Sequence, residues 1–232
     1  MTPFHDYFGI SWYVYLLIWS SLAIGLHVYQ VGFIVKLIRL GKNDDRFNSW
    51  KQRMREFLTD WLGQRKVVED KLAGYAHAMI FWGFLMLVSD VIDLGTGGLF
   101  AELLGMIGLE NIWNLVVDFG YLMAGIGILF ALYRRLIVRP EKLKNSSLEG
   151  VLILFAILGI VITAFIVEAG YMLGDNTHYN NWEPIGVIFA KQMQNMDDNT
   201  LQTIVDVSYW LHMILIGGFL VEIPQTKHSH LI

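Results

Sequence analysis

The sequence predicts an all-α integral membrane protein of five transmembrane helices. Three observations carry that prediction. The 232 residues are 55% hydrophobic and only 16% charged, with a mean hydropathy of +0.47. The apolar residues gather into five runs: Ile10–Ile38, Leu72–Leu94, Ile112–Val138, Leu148–Leu173 and Leu201–Ile223. About 20 residues suffice for a helix to cross a hydrocarbon core of about 30 Å, and each run reaches that length. Finally, the basic residues fall almost entirely into alternate connections. Lys36–Lys71 holds ten Lys or Arg, Arg134–Lys144 holds five and Lys227 is a further one, so only Lys191 lies on the opposite side. A wrong span count would mix the loops.

The first run, Ile10–Ile38, lacks a basic leader and a small-residue cleavage site and is too long for a secretory signal, so it is expected as a span. A polar, basic stretch follows, at about residues 41–70. Within it Phe47, Trp50, Met54, Phe57, Leu58 and Trp61 recur largely at spacings of three and four. That pattern predicts an amphipathic helix on the inner surface, to rest on lipid or to dock a cytoplasmic partner. The second span opens with small residues around His77, the third closes at Arg134-Arg135, the fourth ends near Glu168, and the fifth carries His212 and closes at Pro224. Residues 1–232 thus read as one transmembrane domain of a multi-pass protein of the cytoplasmic membrane. The positive-inside rule puts the N-terminus outside and the C-terminus in the cytoplasm.

Composition also excludes. The net charge of −4 offers nothing to nucleic acid, and lipid headgroups account for the basic loops. With no cysteine, the chain itself has no disulfide, thiolate zinc site or cysteine-bound iron–sulfur cluster. Little sequence remains for a soluble catalytic domain.

Ionisable and coordinating side chains inside a span are costly and point to function. His212 and His230 are 18 residues apart; along an unbroken helix this is a whole number of turns and about 27 Å. Two imidazoles so placed suit two haems stacked across a bilayer. His228 falls on another face. Bis-histidine ligation holds b-type haem between helices, so each ligand needs a partner at similar depth. His77, at the inner end of the second span, pairs with His230; Ala73, Gly74, Ala76 and Ala78 beside it leave room for a macrocycle or a close helix. His27, the other mid-membrane histidine, pairs with His212 or, alternatively, is hydrogen-bonded in the interior near Gln30. His5 and His178 belong to outer segments, where His178 could approach a substrate.

Asp90, Asp118, Glu168 and Asp206 fall toward the outer half. Asp90, Asp118 and Asp206 read as helix-end residues reaching outer water. Glu168, followed by an aromatic outer segment with Tyr171 and Trp182, is the candidate acceptor for protons released from a quinol. Glu168, Trp182 and His178 are therefore the quinone-site candidates. Gly120, Gly125, Gly127 and Gly217-Gly218 permit either close helix contact or a haem edge, and the sequence does not separate the two.

These residues together resemble the cytochrome b membrane domain of the heterodisulfide-reductase-related, nitrate-reductase-gamma-like family, over nearly the whole chain. The likeness is carried by Gly74-Tyr75-Ala76-His77-Ala78-Met79-Ile80-Phe81-Trp82-Gly83-Phe84, by Arg134-Arg135 with Arg139-Pro140, and by Thr163-Ala164-Phe165-Ile166-Val167-Glu168. Trp210-Leu211-His212 and Ile223-Pro224-Gln225-Thr226-Lys227-His228-Ser229-His230 complete it. The resemblance implies a five-helix anchor holding two haems b that passes electrons between a membrane quinone, or methanophenazine, and a cytoplasmic iron–sulfur protein. It assigns His77 and His230 to the inner haem and His212 to the outer one. The nitrate-reductase version has a second histidine where this chain has Leu87. His27 is the substitute, and a one-haem protein is the alternative. The iron–sulfur partner is expected on the basic face as a separate subunit or further domain. Two rival readings are a haem-free membrane scaffold and the cytochrome subunit of a membrane hydrogenase or formate dehydrogenase. A small proton-coupled transporter is a weaker third, because no internal repeat is visible.

Overall fold

A computed structural model describes residues 6, 8–41, 49–69, 71–95, 99–141, 148–174 and 179–225. Its regular elements among these are helical. The helices are α1 Trp12–Arg39, α2 Trp50–Glu56, α3 Arg65–Val68, α4 Lys71–Gly95, α5 Leu99–Met106, α6 Glu110–Tyr133, α7 Leu148–Met172, α8 Pro184–Met193 and α9 Asp198–Glu222. Five of them (α1, α4, α6, α7 and α9) are long and apolar enough to cross a membrane. They begin and end within about one turn of the five apolar runs. The match follows from composition: backbone N–H and C=O groups in hydrocarbon must be satisfied within the segment, and a helix does this alone.

The ends depart from a simple helical reading. After Arg134 the third span widens into a turn closed by Arg139 N–H donating to Arg134 O at 2.9 Å, with Arg139 in the left-handed region at φ +45°. The fifth span leaves α-helical form at Glu222. Ile223–Gln225 tightens into a 3-10 turn in which Pro224 is buried. The whole-turn arithmetic that aligned His212 with His230 on an unbroken helix therefore stops at Glu222. His230 lies outside the described residues, as do His5, His178 and His228.

The amphipathic segment between the first two spans is also not one helix. From α2 the chain passes into a wide turn, Phe57–Leu62, where Gly63 N–H donates to Leu58 O at 2.9 Å. The Gln64 side chain folds back to donate to Trp61 O at 2.5 Å. Asp60 gathers Arg65 at 2.8 Å and Lys66 at 2.9 Å, and the Lys66 contact above all holds its carboxyl below the ordinary aspartate range. Phe57 and Trp61 stack at 4.8 Å. Trp50, Phe57, Leu58 and Trp61 all remain exposed, the uncovered apolar surface that an interfacial segment presents.

The chain divides into two units. One takes in Val67–His212; the other joins Phe4–Lys66 to Met213–Ile232. In the first, α4 packs on α6 through small residues. A Cβ at Gly83 would lie 2.5 Å from Gly120 O and 2.7 Å from Ala124 Cβ, and one at Gly127 would lie 2.8 Å from Ala76 O. Gly120 and Gly127 are thus helix-contact glycines, which decides between the two roles the sequence left open. Gly125 makes ordinary contact with Val161 on α7, and Gly170 of α7 admits Val205 of α9. Ala169, Met172, Ala190, Met193, Leu201 and Val205 form the core where α7, α8 and α9 meet. In the second unit the Trp19 indole lies flush on Gly217, and its Nε1–H donates to Met213 O at 2.8 Å.

Gly83 and Gly218 should respond oppositely to alanine. Gly83→Ala forces backbone apart and should lower stability by about 1–3 kcal/mol, as overpacking does. Gly218, with nothing within 4 Å of a built Cβ, should gain up to about 1 kcal/mol from the better helix former. Thermal unfolding in detergent measures both.

Candidate functional site

Two polar clusters lie inside the apolar body of the first unit. One gathers at the N-terminus of α8. This ten-residue helix is about 15 Å long, too short to span. Pro184 supplies a favourable first turn, but Glu183 in the capping position makes no side-chain cap. The missing cap comes from another helix. Asp118, two turns inside α6, accepts Ile185 N–H at Oδ2 (2.9 Å) and Gly186 N–H at Oδ1 (3.2 Å). A carboxylate on exposed helix N–H groups satisfies them and complements the positive end of the helix dipole. Asp118 is only 2% exposed. The expectation that it reaches outer water is therefore corrected: it faces inward because α8 arrives to use it.

Glu168 of α7 closes the same cluster. A Cβ at Gly186 would lie 2.6 Å from the Glu168 carboxyl carbon, so the missing side chain at 186 makes room for that carboxyl. Beneath it Phe165 stacks on Phe189 at 5.1 Å, and Tyr121 meets Phe165 edge-on at 5.7 Å. Trp182, two residues before α8, is exposed. Glu168 and Trp182 thus belong to the same end of the first unit, while His178 lies outside the described residues. Asp206 accepts Gln202 Nε2–H at 2.8 Å on its own helix. The side chain of Asp90 is also outside the description.

The second cluster surrounds His212. Its Nδ1 lies 3.1 Å from Ile160 O and 2.9 Å from Thr163 Oγ1. A carbonyl only accepts, so Nδ1 carries the proton and donates to both oxygens, leaving the lone pair on Nε2. Thr163 in turn donates its hydroxyl to Gly159 O at 2.7 Å, with Ile160 O further off at 3.1 Å. Thr163 stands inside the quoted motif of the fourth span, yet the sequence alone assigned it nothing. Its only signal was a hydroxyl in an otherwise apolar stretch.

His27, in the second unit, repeats the arrangement. Its Nδ1–H donates to Leu220 O at 2.7 Å, which again leaves the lone pair on Nε2. The expected alternative of a hydrogen-bonded His27 is thus met, with Leu220 O as the partner, while Gln30 Oε1 is buried without a hydrogen bond among the described residues. His77 is exposed on α4 beside the buried Ala76. Among the described residues no three His, Cys, Asp or Glu side chains gather to hold a metal ion by themselves. An axial haem ligand asks for something else: a neutral imidazole, its ring fixed through one nitrogen and its lone pair presented by the other. His212 and His27 both meet that requirement.

No protein-family model and no solved structure matches the chain. Two curated proteins are similar to it. It is 29% identical over 221 residues to the probable iron-sulfur-binding oxidoreductase FadF of Bacillus subtilis (strain 168), covering 93% of this chain and 31% of the relative. It is 26% identical over 235 residues to the EtfAB:quinone oxidoreductase of Syntrophomonas wolfei subsp. wolfei, covering 95% of this chain and 32% of the relative. The chain spans about a third of the length of each. Fold and relatives together define a helical protein with five potential membrane spans, related to oxidoreductases.

Asp118→Ala strips the partner from two N–H groups at the start of α8. It should cost about 1–3 kcal/mol, the penalty for buried donors left unpaired. Thermal unfolding together with protease sensitivity in residues 179–184 would register it, while Asp206→Ala should leave that region unchanged.

Proposed function

We propose that this chain is the membrane cytochrome b part of a quinone-linked oxidoreductase complex. It exchanges electrons between a membrane quinone, or methanophenazine, and an iron–sulfur subunit or domain on the cytoplasmic side. The observation that carries the reading is His212: an imidazole inside a span, its Nδ1–H committed to Ile160 O and Thr163 Oγ1 and its Nε2 left to ligate. His27 and Leu220 O supply the same orientation a second time. In this reading His212 and His27 hold the outer haem, and His77 and His230 the inner one. Haem b so held supplies a one-electron carrier within an apolar interior.

The residues around His212 suit quinol chemistry. Thr163 and Glu168 are five positions apart on α7, about 7.5 Å along the helix. Oxidation of a quinol releases two protons, and Glu168 is placed to accept one at the outer end of the span. Phe165, Phe189 and Tyr121 form an apolar floor below it that keeps water away, and Asp118 holds α8 in place. The basic residues of Lys36–Lys71 and Arg134–Lys144 favour docking on the cytoplasmic face. One similar protein is named for iron–sulfur binding and the other for quinone, which supports both ends of the proposed path.

Protein purified from haem-replete cells provides the test, through its reduced-minus-oxidised spectrum and pyridine haemochrome count. Two haems b per chain are expected, with His212→Ala and His27→Ala each losing the outer one. A single haem in the wild type would remove the outer pair from the reading, and none would leave a haem-free scaffold. Glu168→Gln should keep the haem content and slow quinol-dependent reduction by about 100-fold or more, the usual scale for loss of a positioned base.

A further inference from the structure

We propose that Thr163 is a positioning residue that sets the electron-donating strength of His212, and with it the potential of the haem His212 binds. The proposal rests on the cytochrome reading above and concerns one hydroxyl group. His212 Nδ1–H has two oxygens in reach, Ile160 O at 3.1 Å and Thr163 Oγ1 at 2.9 Å. They are not equivalent. Ile160 O belongs to the α7 backbone and also lies within reach of the Thr163 hydroxyl. The Thr163 proton has a shorter acceptor in Gly159 O at 2.7 Å. When the hydroxyl donates there, its lone pairs are left toward the imidazole. Thr163 Oγ1 thereby becomes the nearer acceptor for Nδ1–H.

Burial gives this contact weight. Thr163 is 5% exposed, so water does not compete for the hydroxyl. A hydrogen bond donated from Nδ1 moves electron density toward Nε2 and makes the imidazole a more basic ligand. A more basic axial ligand favours the oxidised iron, so the Thr163 contact lowers the haem potential. The branched Thr side chain has few rotamers in a helix, and the bond to Gly159 O selects among them. The ring plane of His212 is consequently held by two oxygens from adjacent positions on one turn of α7.

Optical redox titration of the purified protein tests this with Thr163→Val, which keeps the shape and removes the hydroxyl, and Thr163→Ser, which restores it. In the valine variant one haem should titrate at a higher midpoint potential than in the wild type, with the other haem and the haem count unchanged. Serine should return the wild-type value. Thr163→Ala gives the same reading should valine be poorly accommodated. Loss of one haem in both hydroxyl-free variants, with its retention in serine, would also support the assignment. A valine variant that titrates like the wild type would overturn it, as would a serine variant displaced as far as valine. His212→Ala separates the two levels: if it retains every haem, His212 is not a ligand and the parent reading fails, whatever Thr163 does.

Discussion

Hydrocarbon offers no hydrogen bond, and that constraint organises this molecule more than any single contact. A backbone polar group left open at membrane depth costs several kcal/mol, so the spans are helices and each interruption needs a partner. α8 is the clearest case. It begins among apolar helices without a local cap, and its first N–H groups close on Asp118 from α6. Asp118 needs donors as much as α8 needs acceptors, since a buried carboxylate without them would be costly. Each accounts for the other. Glu168, pressed against Gly186, then lies where these helices meet.

Packing within lipid cannot draw on the hydrophobic effect between helices, and it relies on close contact instead. The α4–α6 seam is built accordingly, with Gly83, Gly120, Ala124 and Gly127 bringing backbones and small side chains together. Trp19 on Gly217 shows the same device with a ring in place of a backbone, and its indole N–H is satisfied by Met213 O. Apolar surface that would be a liability in water is ordinary here. Ile18, Leu22, Val28 and Phe33 of α1 are all exposed, as lipid-facing residues should be.

One helix connects the chemistry. α7 carries Ile160 and Thr163, which orient His212, then Phe165, which stacks on Phe189, then Glu168 at the carboxylate cluster beside α8. The partners of a buried imidazole and the carboxyl beside α8 thus share one rigid helix, so their separation varies little. The chain is similar to oxidoreductases about three times its length.

The five spans were legible in the sequence because crossing a bilayer is a matter of length and apolarity, both local properties. His212 and His27 could be nominated for the same reason: a histidine in an apolar run stands out wherever the run folds. The exposed aromatic face of the Trp50–Trp61 segment was readable from spacing, although its wide turn at Phe57–Leu62 was not. What needed the tertiary structure was every assignment that depends on a neighbour remote in sequence. Asp118 looked like a helix-end residue meeting water, and only the arrival of α8 turned it into a buried cap. Gly120 and Gly127 of α6 fitted a haem edge or a helix seam until α4 was seen against them. Thr163 showed only a hydroxyl in an apolar stretch, and a hydroxyl that bonds its own helix and one that also accepts from His212 have the same sequence. Length and polarity belong to a segment, whereas a hydrogen-bond partner 49 positions away belongs to the fold.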